Sequence, residues 1–183
     1  MSSEIFFVAY CKIFNEQIYL CCRIMTTDRY RYNSTDLARY IAAYANDHRY
    51  NINMTKVQKL LYATYGIYLS VKNERLLNEH PQAWPYGPVF PTTRNKLIKE
   101  DMLSYRTNES RFDEMNHDRE LQSLLRIVFD SFGGMTATSL SAWSHQPGSP
   151  WEKTKNMDGF NWGKQIPDEF IKDYFSTLII HKN

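Results

Sequence analysis

From Ser34 onward, apolar residues recur mostly at helical spacing, with polar residues between them. In "STDLARYIAAYAND", Leu37, Ile41 and Tyr44 share a face, Ser34 is placed to cap the first turn, and Asp36 lies where a helix N-terminus favours negative charge. This helix should end near Asp47. A stronger pattern follows in "NMTKVQKLLYATYGIYLSVK", where Asn53 can cap and Val57, Leu60, Leu61, Thr64, Tyr68 and Val71 form a broad apolar stripe. The stripe marks a central core helix. Gln58 and Lys59 sit off it, so a solvated face accounts for them as well as a functional role does.

The helical period is lost in "NERLLNEHPQAWPYGPVFP". Two short apolar pieces, around Leu76-Leu77 and around Ala83-Trp84, can pair as a small hairpin that Pro81 and Pro85 keep to a minimal ladder. Gly87-Pro88 supplies a bend, and Pro91 suits the first turn of a helix over "TTRNKLIKE". Trp84 and Tyr86 beside that bend either set the angle by packing or stand exposed as contacts for a partner.

The stretch "LSYRTNESRFDEMN" reads as an irregular polar connector. A helix then runs from about Asp118 through "RELQSLLRIVFDSF", with Leu121, Leu124, Leu125, Val128 and Phe129 at core spacing, and Gly133-Gly134 predict a left-handed stop. Thr136 caps a helix in "MTATSLSAWSHQ". In "GSPWEKTKN", Ser149 as cap, Pro150 as first helical residue and Glu152 at the third position complete a capping pattern. "IPDEFIKDYFSTLII" is a closing amphipathic helix on Phe170, Ile171, Tyr174, Phe175 and Leu178. These elements predict a mainly α, single-domain helical bundle with a small β-hairpin between the second and third core helices.

Composition narrows the function. At 183 residues the chain can bury one substantial core without staples. A formal charge of +2, from 22 Lys and Arg against 20 Asp and Glu, does not favour nucleic acid as a partner. "DRYRY", Asp28 to Tyr32, interleaves arginine and tyrosine as single-strand binders do, but one short instance reads as a solvated linker. Cys11, Cys21 and Cys22 make no disulfide framework, which suits a reducing cytoplasm. Lys12, Asn15, Glu16 and Gln17 interrupt the apolar run near the start before it reaches a membrane span of ~20 residues. Met25 offers an alternative start, which would leave residues 1–24 as an extension and residues 25–183 as the working domain.

No catalytic or cofactor motif emerges. Adjacent glycines occur only at Gly133-Gly134, so no phosphate-cradling loop is indicated. His48, His80, His117, His145 and His181 fall in unrelated segments, and Glu114-Met-Asn-His117 gives a di-iron spacing once where such sites need it twice. Serines near His145 lack a nucleophile elbow, and a histidine at a helix C-terminus is explained by the terminal carbonyls. The expectation is a protein that is not an enzyme, with no cofactor and no metal.

Three ordered segments resemble the Panacea domain of bacterial and phage antitoxins, the SocA-like and GepA-like family. Gln58, Lys59, Leu60, Leu61 and Tyr62 match its Q-K-L-L-Y helix. Ala83, Trp84, Tyr86, Gly87, Pro88 and Val89 match A-W-x-Y-G-P-V, and Leu140, Ser141, His145, Ser149, Pro150 and Trp151 match L-S-x-x-x-H-x-x-x-S-P-W. The resemblance runs from about Thr35 to the C-terminus. Ala63 departs from it, since an aromatic or large apolar residue usually follows L-L-Y. The N-terminal extension and the connector at residues 104–117 have no counterpart among the signatures.

The resemblance implies an antitoxin that neutralises a co-encoded protein toxin by direct binding; adaptor-like relatives would add a protease as partner. Trp84, Tyr86 and His145 are the candidate partner contacts, while Gly87, Pro88, Ser149 and Pro150 are accounted for as turn and cap residues. Two alternatives stay open: a DNA-binding transcriptional regulator, although neither residues 56–72 nor 92–99 concentrate positive charge, and a phage protein aimed at a host target.

Overall fold

The computed structural model describes residues 30–180. The extension over residues 1–24 with its three cysteines, the first two residues of "DRYRY", and His181 lie outside the described residues. The described chain is mainly α, with one two-stranded antiparallel hairpin between its second and third helices.

Helix α1 spans Ser34–Asp47. Its cap is Asn33, whose side chain accepts from the amides of Thr35 and Asp36, rather than Ser34 as the sequence suggests. Ser34 is otherwise engaged: its amide donates to Asn78 Oδ1 and its hydroxyl to Glu79. Helix α2 spans Met54–Lys72, is capped by Asn53 as expected, and turns off through Asn73 in the left-handed region.

The central helix is enclosed on every side. Every residue from Lys56 to Leu69 is buried, since α2 is packed against α1, the hairpin, and the later helices. Gln58 and Lys59 are therefore not on a solvated face; they are 2% and 1% exposed. Val71, expected on the stripe, is exposed where the helix leaves the core.

The hairpin pairs β1 (Gln82–Trp84) with β2 (Gly87–Val89), in the register Gln82 to Val89 and Trp84 to Gly87. Leu76-Leu77 is not the partner strand. Its backbone is taken by the chain entering α1, where the amides of Arg31 and Tyr32 both donate to the Leu76 carbonyl. The bend is Pro85-Tyr86, and Gly87-Pro88 lies in the second strand. Residues 163–166 cover the other edge of β1: Gly163 N–H donates to Ala83 O, Ala83 N–H to Lys164 O, and Ile166 N–H to Pro81 O.

Helix α3 (Pro91–Leu97) begins with proline as predicted, and the carboxylate of Glu79 caps it by accepting from the amides of Thr92 and Thr93. The polar connector is more ordered than expected, containing a 3-10 turn at Ser110–Phe112 and helix α4 (Asp113–His117), with Phe112 and Met115 buried. Helix α5 (Arg119–Val128), capped by Asp118, widens into a π turn at Phe129–Gly133. That turn replaces the left-handed stop, because Gly134 has φ −75°. Gly133 is needed for closeness instead: a Cβ there would lie 2.9 Å from the Phe129 ring, and its carbonyl accepts from the buried Lys56 amine.

Helices α6 (Ala137–Ser144), α7 (Pro150–Lys155) and α8 (Asp168–Ile180) complete the fold, and the caps Thr136 and Ser149 are as read from sequence. Helix α8 lies along α2, where Phe175 packs edge-on to Tyr62 and fills the space beside Gly66. No helix among the described residues is long and apolar enough to cross a membrane. "DRYRY" is not a solvated linker at its described end: Tyr32 is buried, and Arg31 pairs with Asp118 and Glu120.

Candidate functional site

The three sequence signatures meet at the hairpin. Gln58 and Lys59 leave adjacent positions of α2 and both reach β2 and its exit. The Gln58 Oε1 accepts from the Phe90 amide at 2.7 Å, and the Lys59 amine donates to the Pro88 carbonyl at 2.9 Å. Burial lowers the Lys59 pKa to about 7, because a charged amine loses its hydration there. The polar pair is thus a backbone clamp that replaces strand neighbours for β2. The Gln58 Nε2 and the Tyr62 hydroxyl, one turn apart, have no hydrogen-bond partner among the described residues.

The third signature holds the outer side. Ser149 caps α7, and its neighbour Trp151 donates its indole N–H to the Trp84 carbonyl at 2.8 Å. His145 ends α6, donates through Nδ1 to the Ser141 carbonyl at 2.6 Å, and meets Trp151 edge-on with ring centroids 4.0 Å apart. Glu152 accepts from the Gly148 amide at 2.6 Å, steadying the turn before the cap.

The structure brings Trp84 and His145 together through Trp151, and sets Tyr86 alone at the tip of the bend. Tyr86 is 76% exposed, Trp84 is half-buried, and the Trp84 indole N–H donates within the strand to Gln82. Leu60, Leu61, Gly87, Pro88, Ser149, Pro150 and Trp151 are buried and build the joint. Sequence reasoning missed Trp162, half-exposed and 6.2 Å from Trp151, with Phe160 set edge-on to it at 5.0 Å. The aromatic spacing of "GFNWG" was the available signal, masked by the irregular chain around it.

The Lys59 amine and the Gln58 Oε1 are committed to backbone atoms, and the outward groups are aromatic, a composition that suits recognition of another macromolecule.

The same segments organise the likeness to known proteins. The family described as "Antitoxin SocA-like, Panacea domain" matches residues 57–152, from the first turn of the clamp helix to Glu152 within α7. Antitoxin SocA of Caulobacter vibrioides (strain NA1000 / CB15N) is 33% identical over 138 residues, covering 68% of this chain and 72% of that protein. No solved structure matches the chain. With its three signatures folded onto one hairpin and matched in order by the family, the chain belongs to the SocA-like, Panacea-domain antitoxins.

Proposed function

We propose that this protein neutralises a co-encoded protein toxin by binding it directly, in the cytoplasm and without catalysis of its own. Family membership supplies the class, and the relative's name, antitoxin, supports the role. The observation that carries direct binding is the hairpin tip: Tyr86 stands 76% exposed on a bend whose strands are held on both sides. A rigid aromatic presented this way loses little side-chain freedom on binding, which is how an anchor contributes most.

The test is growth rescue. The adjacent open reading frame is expressed under tight control with and without this chain, and the two products are tested for co-purification. Toxicity relieved together with a stable complex is the expected result. Toxicity relieved without any complex would remove direct binding as the mechanism, and no relief would remove the antitoxin role.

A further inference from the structure

Resting on the reading that Tyr86 anchors the toxin, we propose that Trp151 is the positioning residue of that anchor. Its buried indole N–H, bonded to the Trp84 carbonyl, fixes the bend from which Tyr86 is presented. The Tyr86 side chain does not fix itself. It is largely exposed and makes no hydrogen bond, ion pair or ring contact among the described residues, so the backbone of the bend sets where it stands. That backbone is weak on its own. The strands run from Gln82 to Trp84 and from Gly87 to Val89, an isolated pair of this size is marginal in water, and Pro88 brings no N–H to the ladder. Order at the tip therefore comes from groups outside the hairpin.

Each arm of the bend is gripped from outside. On β2, the Lys59 amine donates to the Pro88 carbonyl at 2.9 Å, and Gly87 sits so close to α6 that a Cβ would lie 2.5 Å from Ser144 Oγ. On β1, residues 163–166 hold Pro81 and Ala83, and the Trp84 carbonyl, one step nearer the tip, accepts the Trp151 N–H at 2.8 Å. Trp151 is thus the grip next to the bend on that arm. It is suited to the task because it is itself held: it follows the Ser149 cap and Pro150 at the start of α7, and His145 meets its ring edge-on at 4.0 Å. A buried indole N–H needs an acceptor, so the bond is made whether or not a partner is present. The tip is then ordered before the toxin arrives, and association loses little freedom there.

The experiment uses the full chain and the product of the neighbouring open reading frame, with two replacements that remove the donor. One is Trp151→Phe; the other puts benzothienylalanine in place of Trp151, which keeps the shape of tryptophan with sulfur where the N–H was, and which decides the matter if the phenylalanine variant folds poorly. Each should quicken amide hydrogen exchange over residues 82–89 while leaving that of α2 unchanged, and should weaken the complex about three- to tenfold, as the loss of one ordering hydrogen bond implies. Asn33→Ala, which removes the α1 cap and touches neither strand, should lower the melting temperature and leave affinity as it was. Tyr86→Ala should weaken the complex further than either, and adding a replacement of Trp151 to it should cost no more affinity, because nothing is left to position. Losses that multiply in the double variant would make Trp151 a contact or a general stabiliser and overturn the proposal. Hairpin exchange or affinity unchanged in the benzothienylalanine chain would overturn it too. Affinity unmoved by Tyr86→Ala removes the anchor, and the proposal with it, while a persisting rescue leaves the antitoxin role intact. A wild type that neither binds nor rescues overturns the reading on which both depend.

Discussion

Gly87 combines two demands at one residue. Its φ of +99° suits glycine, and a Cβ there would lie 2.5 Å from Ser144 Oγ and 2.8 Å from the Lys59 amine. Gly87→Ala should destabilise the fold by about 2–4 kcal/mol through backbone strain and overpacking, read by chemical denaturation; a loss under half a kcal/mol, within the ordinary range of surface substitutions, would show that the joint yields. Lys59 beside it predicts a pH dependence. Burial lowers its pKa to about 7 from 10.5, so between those values the unfolded chain holds a proton that the folded chain has released. Stability should therefore rise with pH across that window, and below it both states carry the proton while the folded one bears the cost of a buried charge. Lys59→Met removes this contribution, so urea unfolding at about pH 7 and pH 9 should show a flatter rise than in the wild type. Equal slopes would mean that the amine is solvated in the folded protein.

At the scale of elements, what was legible was local. Asn53, Thr136, Ser149 and Pro150 act through chain neighbours, and each stands where the capping pattern places it. Ser149→Ala should cost about 1 kcal/mol in thermal unfolding, because the Glu152 amide loses its acceptor; no loss would mean that water replaces the hydroxyl. Pairings over distance were not legible. Leu76-Leu77 has the composition of a strand, but the incoming residues Arg31 and Tyr32 claim its backbone. Gln58 and Lys59 look solvated on any periodic reading, since pattern assigns polar residues to water and cannot see that a hairpin about 30 residues later will offer them backbone partners. A helix enclosed all round defeats the two-faced rule from which its stripe was inferred. Trp84 illustrates the remaining gap: the joint was visible as "AWPYGPVFP", but only the folded chain shows the side chain partly buried beside Arg94. Trp84→Ala therefore removes less packing than the ~3 kcal/mol expected of a fully buried aromatic.

For the molecule as a whole, closure depends on α8 lying against α2, and Asp168 at its first turn gathers three separate parts of the chain. Its carboxylate accepts from the Tyr65 hydroxyl at 2.7 Å, from Arg75 Nε at 2.7 Å and from His80 Nε2 at 3.0 Å. Burial alone would raise its pKa, but the hydrogen bonds from His80, Tyr65 and Arg75 outweigh it and hold the group below the usual carboxylate range. The folded pKa being the lower one, this stabilisation is fully present above the unfolded value and is lost as pH falls through the folded value. Glu100, held at about 2 chiefly by Arg39, adds in the same direction. Stability should therefore decline steadily below about pH 4. Asp168→Asn should lower stability at neutral pH by about 2–4 kcal/mol, since Arg75 and His80 keep their donors but lose the charge they face, and it should flatten the acid decline. Loosening would begin at α8, where Phe175 lies 6.1 Å from Trp143, so tryptophan fluorescence should change before circular dichroism at the far-ultraviolet helix band does. Coincident transitions at wild-type stability would instead place the closing force in the apolar contacts of Phe175 with Tyr62 and Gly66, with Asp168 only selecting the register in which α8 docks.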